Sequence, residues 1–488
     1  MAISAFALVA LLLQVANAPA PHCDASRIFS QVRTATGGNH WNTVGEIVAD
    51  GTITDSGAVG SVHSARDVVA GRNLFAEALD QGRVSYIYDG HTKWELDQGL
   101  GVHAMNAPDS IRRAVTDAYL ARNGFWKPND PARVECLSGV SANGASFDVV
   151  RITPRDGSAV EVWIDRATHL VARTIQQLPT TLRTELYADY RKAGGLVLPY
   201  SITQQFLDGY GKPAVIAQSI KQYRLLPAVR AADFRRPPDP VNGRIAGGAS
   251  STQVPFTLDK GVIVFQARIN GQGPFAFTFD PGAQGVLTSV AAVRLGLTPG
   301  KMANVGRLEV GGAEIDNIAL PVYAGNPTDL FPARDPNAAP IAGALGPELL
   351  DRFVVRLDYA AKTLTLTPMT GSTSAPTGTT QRFTLQEDDD IPLIPAAIDG
   401  VPGLVQFDVR APAPLLLFRH PAGTGTVQSL KLGGVELHDV PARFTDAQAG
   451  KFSSRTEAGL IGSRVLSQFV TTLNYRAQTI RFEYRPIP

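Results

Sequence analysis

Positive charge is not in excess in this 488-residue sequence: 45 Lys and Arg face 44 Asp and Glu, a net of +1. Nucleic-acid binders carry a clear basic surplus, so no nucleic-acid partner is expected. No apolar run reaches the roughly 18 residues a membrane helix needs, so the chain is not expected to span a bilayer. Cysteine is nearly absent. Cys23 and Cys136 are the only two, too few for a zinc site, and the 8 His residues fall into no H-E-x-x-H or paired metal spacing. No G-x-S-x-G elbow, Walker loop or dinucleotide fingerprint occurs. Neither a metal nor a cofactor is expected. The acidic run Glu387-Asp388-Asp389-Asp390 reads as a solvated loop.

What is there favours β-structure. The apolar fraction of 44% is too high for a disordered chain, and 46 Gly and 34 Pro with few long helical patterns point to strands and turns. The length implies about two to four domains. Residues 5–13 (AFALVALLL) have the length of a signal-peptide core, followed by A-x-A steps at Ala16-Asn17-Ala18 and Ala18-Pro19-Ala20. No Lys or Arg precedes that run, and each step is followed by proline. The expectation is a signal peptide over 1–20 and export to the periplasm or beyond. In such an oxidising compartment Cys23 and Cys136 suggest one disulfide, worth about 4–5 kcal/mol on the chain-entropy view. Two unpaired thiols remain the alternative. Cys23 also reads as a lipidation site, but Pro21-His22 before it match such signals poorly.

Two polar, Pro/Gly-rich stretches, 236–254 and 371–380, read as linkers between segments 25–235, 255–370 and 381–488. The first segment opens with a helical pattern from Asp24 to Thr36, and a second runs from Asp109 to Ala121 with Ser110 as a candidate cap. Between and after them run many short stretches of period-two alternation, such as EIVADGTITD, FDVVRITP and EVWID, the signature of an antiparallel sheet with one buried face. With Tyr88-Asp89-Gly90 leading to Trp94, and Trp163-Ile164-Asp165, this segment resembles the half-barrel of bacterial outer-membrane lipoprotein carriers. The resemblance implies a concave face that holds acyl chains, with a lipid or lipoprotein as partner. The alternative is a module that only packs against, or presents, the second half.

The last two segments are one pattern written twice. VGRLEVGGAEIDNI repeats as VQSLKLGGVELHDV, and FVVRLDY (353–359) as FVTTLNY (469–475). Each of the latter follows an apolar-Gly step, Leu345-Gly346 or Ile461-Gly462, and ARINGQGPFAFTFD repeats upstream as AAIDGVPGLVQFD. The matches keep their order, which indicates internal duplication.

Each copy ends an apolar strand on an aspartate and a turn: Asp280-Pro281-Gly282-Ala283 and Asp408-Val409-Arg410-Ala411. A carboxylate there is costly unless paired, and a pseudo-twofold axis lets the two equivalent loops meet. Two such groups share one proton; the ionised one takes a proton from water while the other polarises a peptide carbonyl. With Ala342-Gly343-Ala344-Leu345-Gly346 downstream, the run Phe277–Ala283 resembles the retropepsin/pepsin group of aspartic proteases. The resemblance covers about 255–488 and implies a fused, monomeric retropepsin dimer. It makes Asp280 and Asp408 the catalytic pair, with Leu345, Gly346, Ile461 and Gly462 as supporting residues.

The departures are as specific. The family has Thr or Ser after the aspartate, whose hydroxyl ties the two loops together; Pro281 and Val409 have none. The family then has Gly, which Gly282 matches and Arg410 does not. An inward Arg410 would pair with an aspartate and oppose the shared proton. Asp55-Ser56-Gly57-Ala58 spells the family motif more faithfully, but it follows no buried apolar strand and reads as a hairpin turn. Asp358 in RLDY has Asn474 as its counterpart, which indicates a structural hydrogen-bonding role. The expected fold is mainly β: an antiparallel half-barrel with helices, then a duplicated bilobal acid-protease-like unit. The expected activity is aspartic-type peptide hydrolysis on a peptide or unfolded protein. The alternatives are an impaired pseudo-protease that binds peptides or a partner, and lipid or lipoprotein binding through the first segment.

Overall fold

The structure is a computed structural model that describes residues 24–485, apart from 56, 81, 98, 100, 128, 143, 209–210, 301, 327–330, 332–337, 370–378 and 387–390. The expected signal peptide, Cys23 and its pairing with Cys136, the acidic run and most of the second linker lie outside the described residues. The chain is mainly β.

Among the described residues of the first half, thirteen antiparallel strands between Glu46 and Leu226 form one sheet. Two meanders, Glu46 to Ala104 and Ala132 to Leu226, join where Glu46–Asp55 pairs with Pro213–Leu226. The helices Ala25–Ala35 and Pro108–Ala121 cover part of one face. Ile28, Phe29, Val32 and Tyr119 pack on Val150, Ile152, Val160, Val162 and Ile164, which the register Val150↔Val162 and Ile152↔Val160 puts on a single side. Asp24 caps the first helix by accepting the Arg27 N–H at 3.1 Å. Ser110 does not cap the second. Its N-cap is Ala107 and Pro108 takes the first turn, where a missing N–H costs nothing; Ser110 is buried inside the helix. Asp55 and Ala58 pair at the end of the hairpin between Glu46–Asp55 and Ala58–Asp67, as the turn reading expects.

In the second half, the strands Thr252–Asp259, Thr363–Pro368, Phe353–Asp358, Phe469–Asn474, Thr479–Tyr484 and Thr379–Arg382 lie side by side in that order. Phe353–Asp358 meets Phe469–Asn474 with Val355↔Leu473, Arg356↔Thr472 and Leu357↔Thr471. The repeat equates Val355 with Thr471 and Leu357 with Leu473, so the outer two pairings are one contact seen twice. A pseudo-twofold axis therefore passes through Arg356 and Thr472. The 236–254 stretch is not simply a linker: Gly243–Ile245 is a strand on Ala313–Pro321, and another strand begins at Thr252. Buried Ile245 anchors it where the Gly/Pro composition suggested only a tether. Thr379 and Thr380, counted with the second linker, pair with Phe482 and Arg481.

The halves are pinned together. Met105 of the first half is buried in the core that holds Phe277, Phe279, Phe407 and Phe469. Nearby, buried His103 meets Asp351 at 2.5 Å and Asn106 bonds Gln478 at 2.6 Å.

Candidate active site

Each candidate aspartate ends a strand that runs parallel to its crossing segment, with Phe279↔Leu345 in one repeat and Phe407↔Ile461 in the other. The Asp280 N–H donates to the Leu345 carbonyl at 2.9 Å. A Cβ on Gly346 would overlap the Asp280 carbonyl oxygen, and one on Gly462 would overlap the carbonyls of Ala411 and Ala413. That close approach is why each crossing segment has glycine at this point. Leu345, Gly346, Ile461 and Gly462 thus all stand directly behind the two loops.

Each loop also wraps its own carboxylate. Gly282 N–H donates to Asp280 Oδ1 at 3.2 Å, while Arg410 and Ala411 N–H donate to Asp408 Oδ1 at 2.8 and 3.0 Å. Pro281 is buried and Val409 is wholly in the core, so neither reaches across. A different tie spans the axis. The Tyr475 hydroxyl, from the second repeat, donates to the Pro281 carbonyl of the first at 2.6 Å. Its repeat equivalent, Tyr359, is buried with a hydroxyl that has no partner among the described residues, and burial and the Asp408 charge push that hydroxyl up.

The electrostatics centre on Arg410. It crosses from the second repeat and puts Nη1 2.5 Å from Asp280 Oδ2, with its guanidinium 5.6 Å from the Phe331 ring centroid. Both Asp280 oxygens are therefore engaged, one by Gly282 N–H and one by Arg410. Asp408 is held above the ordinary carboxylate value, first by burial and then by the charge of Asp280; Lys451 and the Arg410 N–H work against that shift. The two carboxylates are near enough to feel each other, but they carry unlike environments.

Several contributors escape a reading of the sequence. Glu348 is buried, accepts Gly285 N–H at 2.6 Å and Gly346 N–H at 3.1 Å, and is pushed by burial to about 7. It joins the Asp280 loop to its crossing segment. Gln284 of the same loop donates to Asp97 of the first half at 3.1 Å. Gln406 and Thr278, two residues before each aspartate, are buried with side-chain atoms unpartnered among the described residues. Repeat position alone could have flagged Tyr359 and Tyr475; nothing local marks Glu348. Asp358 and Asn474 behave as equivalents, accepting the N–H of Ala361 and Ala477 in matching turns. A surface hollow of about 700 Å³, lined in part by Lys260, Pro412, Pro414, Arg443 and Arg464, lies behind the second loop, and neither aspartate lines it. Among the described residues no cluster of His, Cys, Asp and Glu could hold a metal ion, and no helix is long and apolar enough to cross a membrane.

No known family and no curated protein matches the chain. Among solved structures, similarity extends to a DUF1329 family protein from Desulfovibrio piger (12% identity, TM-score 0.30) and a LolA superfamily protein from Nitrosomonas europaea (11%, 0.31). Each is matched over 98% of its own length and 44% of this chain. An aspartic proteinase from Irpex lacteus is matched over 98% of its length and 49% of this chain, at 11% identity and TM-score 0.35. Similarity at this level assigns this chain no activity.

Proposed function

We propose that the two repeats form an acid-peptidase-type cleft for an extended peptide or unfolded protein, centred on Asp280 and Asp408, in which Arg410 holds hydrolysis down. The observation that carries this reading is the 2.5 Å pair between Arg410 and Asp280. A two-carboxylate mechanism needs an ionised oxygen aimed at water and one proton shared with the partner acid. With both Asp280 oxygens engaged by donors and Asp408 biased towards its protonated form, no Asp280 oxygen is aimed at water. Binding of polypeptide is compatible with that state; efficient water activation is not. The reading includes export, on the strength of the apolar run at 5–13.

The test is cleavage of unfolded casein from about pH 3 to 7. Wild type is expected to be slow or silent, Arg410→Gly to gain at least tenfold, and Asp280→Asn in that background to remove the gain. Brisk wild-type cleavage that Arg410→Gly diminishes would make the arginine part of the machinery. No cleavage from a folded Arg410→Gly would leave a binding module without hydrolysis.

A further inference from the structure

The surface hollow behind the second aspartate loop carries charge of one sign. Three cations line it, each from a different element. Lys260 stands at the turn between Thr252–Asp259 and Val262–Ile269, Arg443 in the strand Val435–Thr445, and Arg464 two residues past the crossing glycine Gly462. No acid is among the described residues of its lining, and all three cations are exposed. None of the three has a side-chain hydrogen bond or ion pair among the described residues. Asp259, next to Lys260 in the chain, lines a separate hollow of about 330 Å³.

Folding does not account for this grouping. The repeat equivalents of Arg443 and Arg464 are Pro321 and Glu348, so the duplicated frame forms without a cation at either place. Lys260 belongs to the first repeat and the two arginines to the second, so the charges meet only once the repeats have packed together. Like charges without a counter-charge repel, and a concave site with apolar walls concentrates their field. Here Pro412, Pro414 and Pro441 are those walls, and the pairing Thr424↔Arg443 fixes one side of the hollow in a sheet. A volume of about 700 Å³ is room for an organic molecule rather than a bare ion.

We infer that this hollow binds a compact polyanion, a ligand with two or more carboxylate or phosphate groups held close together. Arg443 and Arg464 each offer paired N–H groups to an oxyanion, and Lys260 adds a compact charge from the other repeat. A ligand held by all three bridges the two repeats. Neither aspartate lines the hollow, so the site stands whether or not they hydrolyse anything. Such chemistry has two sources: a free small polyanion, or neighbouring acidic side chains of a polypeptide.

Titration calorimetry on the full chain at fixed ionic strength tests this with citrate, pyrophosphate, blocked triglutamate, blocked triglutamine and acetate. At least one of the first three should bind tenfold or more tightly than acetate, and the tightest of them identifies the source. Arg443→Gln and Arg464→Gln should each weaken that ligand at least fivefold, and the double variant should bind it no better than acetate. Arg27→Gln, which removes an exposed cation of the first half, should leave its binding unchanged. Melting curves report that each variant folds. Polyanions that bind no better than acetate, full binding in the double variant, or an equal loss in Arg27→Gln would overturn the site. If triglutamate binds tightest, triglutamine binding equally well would overturn its basis in charge.

Discussion

The two aspartate loops share a backbone plan and differ in the two residues after each aspartate and in what surrounds them. Each ends a buried strand beside a parallel partner, each carboxylate accepts N–H groups of its own turn, and each is backed by a glycine without room for a Cβ. Beyond that, the first loop is anchored by buried Glu348, whereas the corresponding position in the second repeat is exposed Arg464. The first loop receives a tyrosine bond from across the axis, while the Tyr359 hydroxyl stands unpartnered among the described residues. The second loop, in return, sends Arg410 to the first aspartate. The shared features are those that fix where a carboxylate stands. The unshared ones set the surroundings of each carboxylate: Asp280 meets a guanidinium, whereas burial and the charge of Asp280 raise Asp408.

The strongest test of the shared frame is Gly346→Ala or Gly462→Ala. A methyl group at either position meets backbone carbonyls rather than movable side chains. Each should cost about 4 kcal/mol or more, or yield no folded protein, in urea unfolding followed by fluorescence. Tolerance of either change would show that the crossing segments are not as tightly seated as the comparison requires.

The next test separates the repeats. Glu348→Ala leaves two buried N–H groups without an acceptor and should cost about 2–4 kcal/mol, whereas Arg464→Ala at the exposed equivalent should stay within about 0.5 kcal/mol. The effect also depends on pH. Glu348 has its folded value raised to about 7 from 4.5, so its contribution is fully present below about pH 4.5 and is lost as pH rises towards 7. The gap between wild type and Glu348→Ala should therefore be wider at pH 4.5 than at pH 8. A gap that widens with pH would reverse the assignment.

Much of this frame is legible in the amino-acid sequence. The loops, the crossing glycines and the equivalence of Asp358 with Asn474 follow from a repeat that holds its order over more than a hundred residues. The sequence also shows that Arg410 stands where the family has glycine, though not which aspartate it meets. Other features are hidden for physical reasons. Glu348 opens a short helical turn like any acidic residue, and only burial against Gly285 gives it a role. Tyr475 meets Pro281 across 194 residues of chain, which no local pattern encodes. Ile245 reads as part of a tether because its neighbours are Gly, Arg and Ala; pairing with a distant strand makes it structure.

The smallest expected effect is the most discriminating. Tyr359 and Tyr475 occupy equivalent places and are both buried, yet among the described residues only Tyr475 has an acceptor for its hydroxyl, the Pro281 carbonyl at 2.6 Å. Tyr475→Phe should lose about 1 kcal/mol, because the Pro281 carbonyl is left without its donor. Tyr359→Phe removes a hydroxyl that is desolvated for no return, so it should be neutral or slightly stabilising. The double variant should be additive within about 0.5 kcal/mol if the two rings act on separate loops. Equal losses from both changes would mean that Tyr359 has a partner of its own, most directly the Asp408 carboxylate, whose charge already reaches it. The second aspartate would then be tied from across the axis as the first loop is, and the asymmetry between the loops would reduce to Arg410 and Glu348.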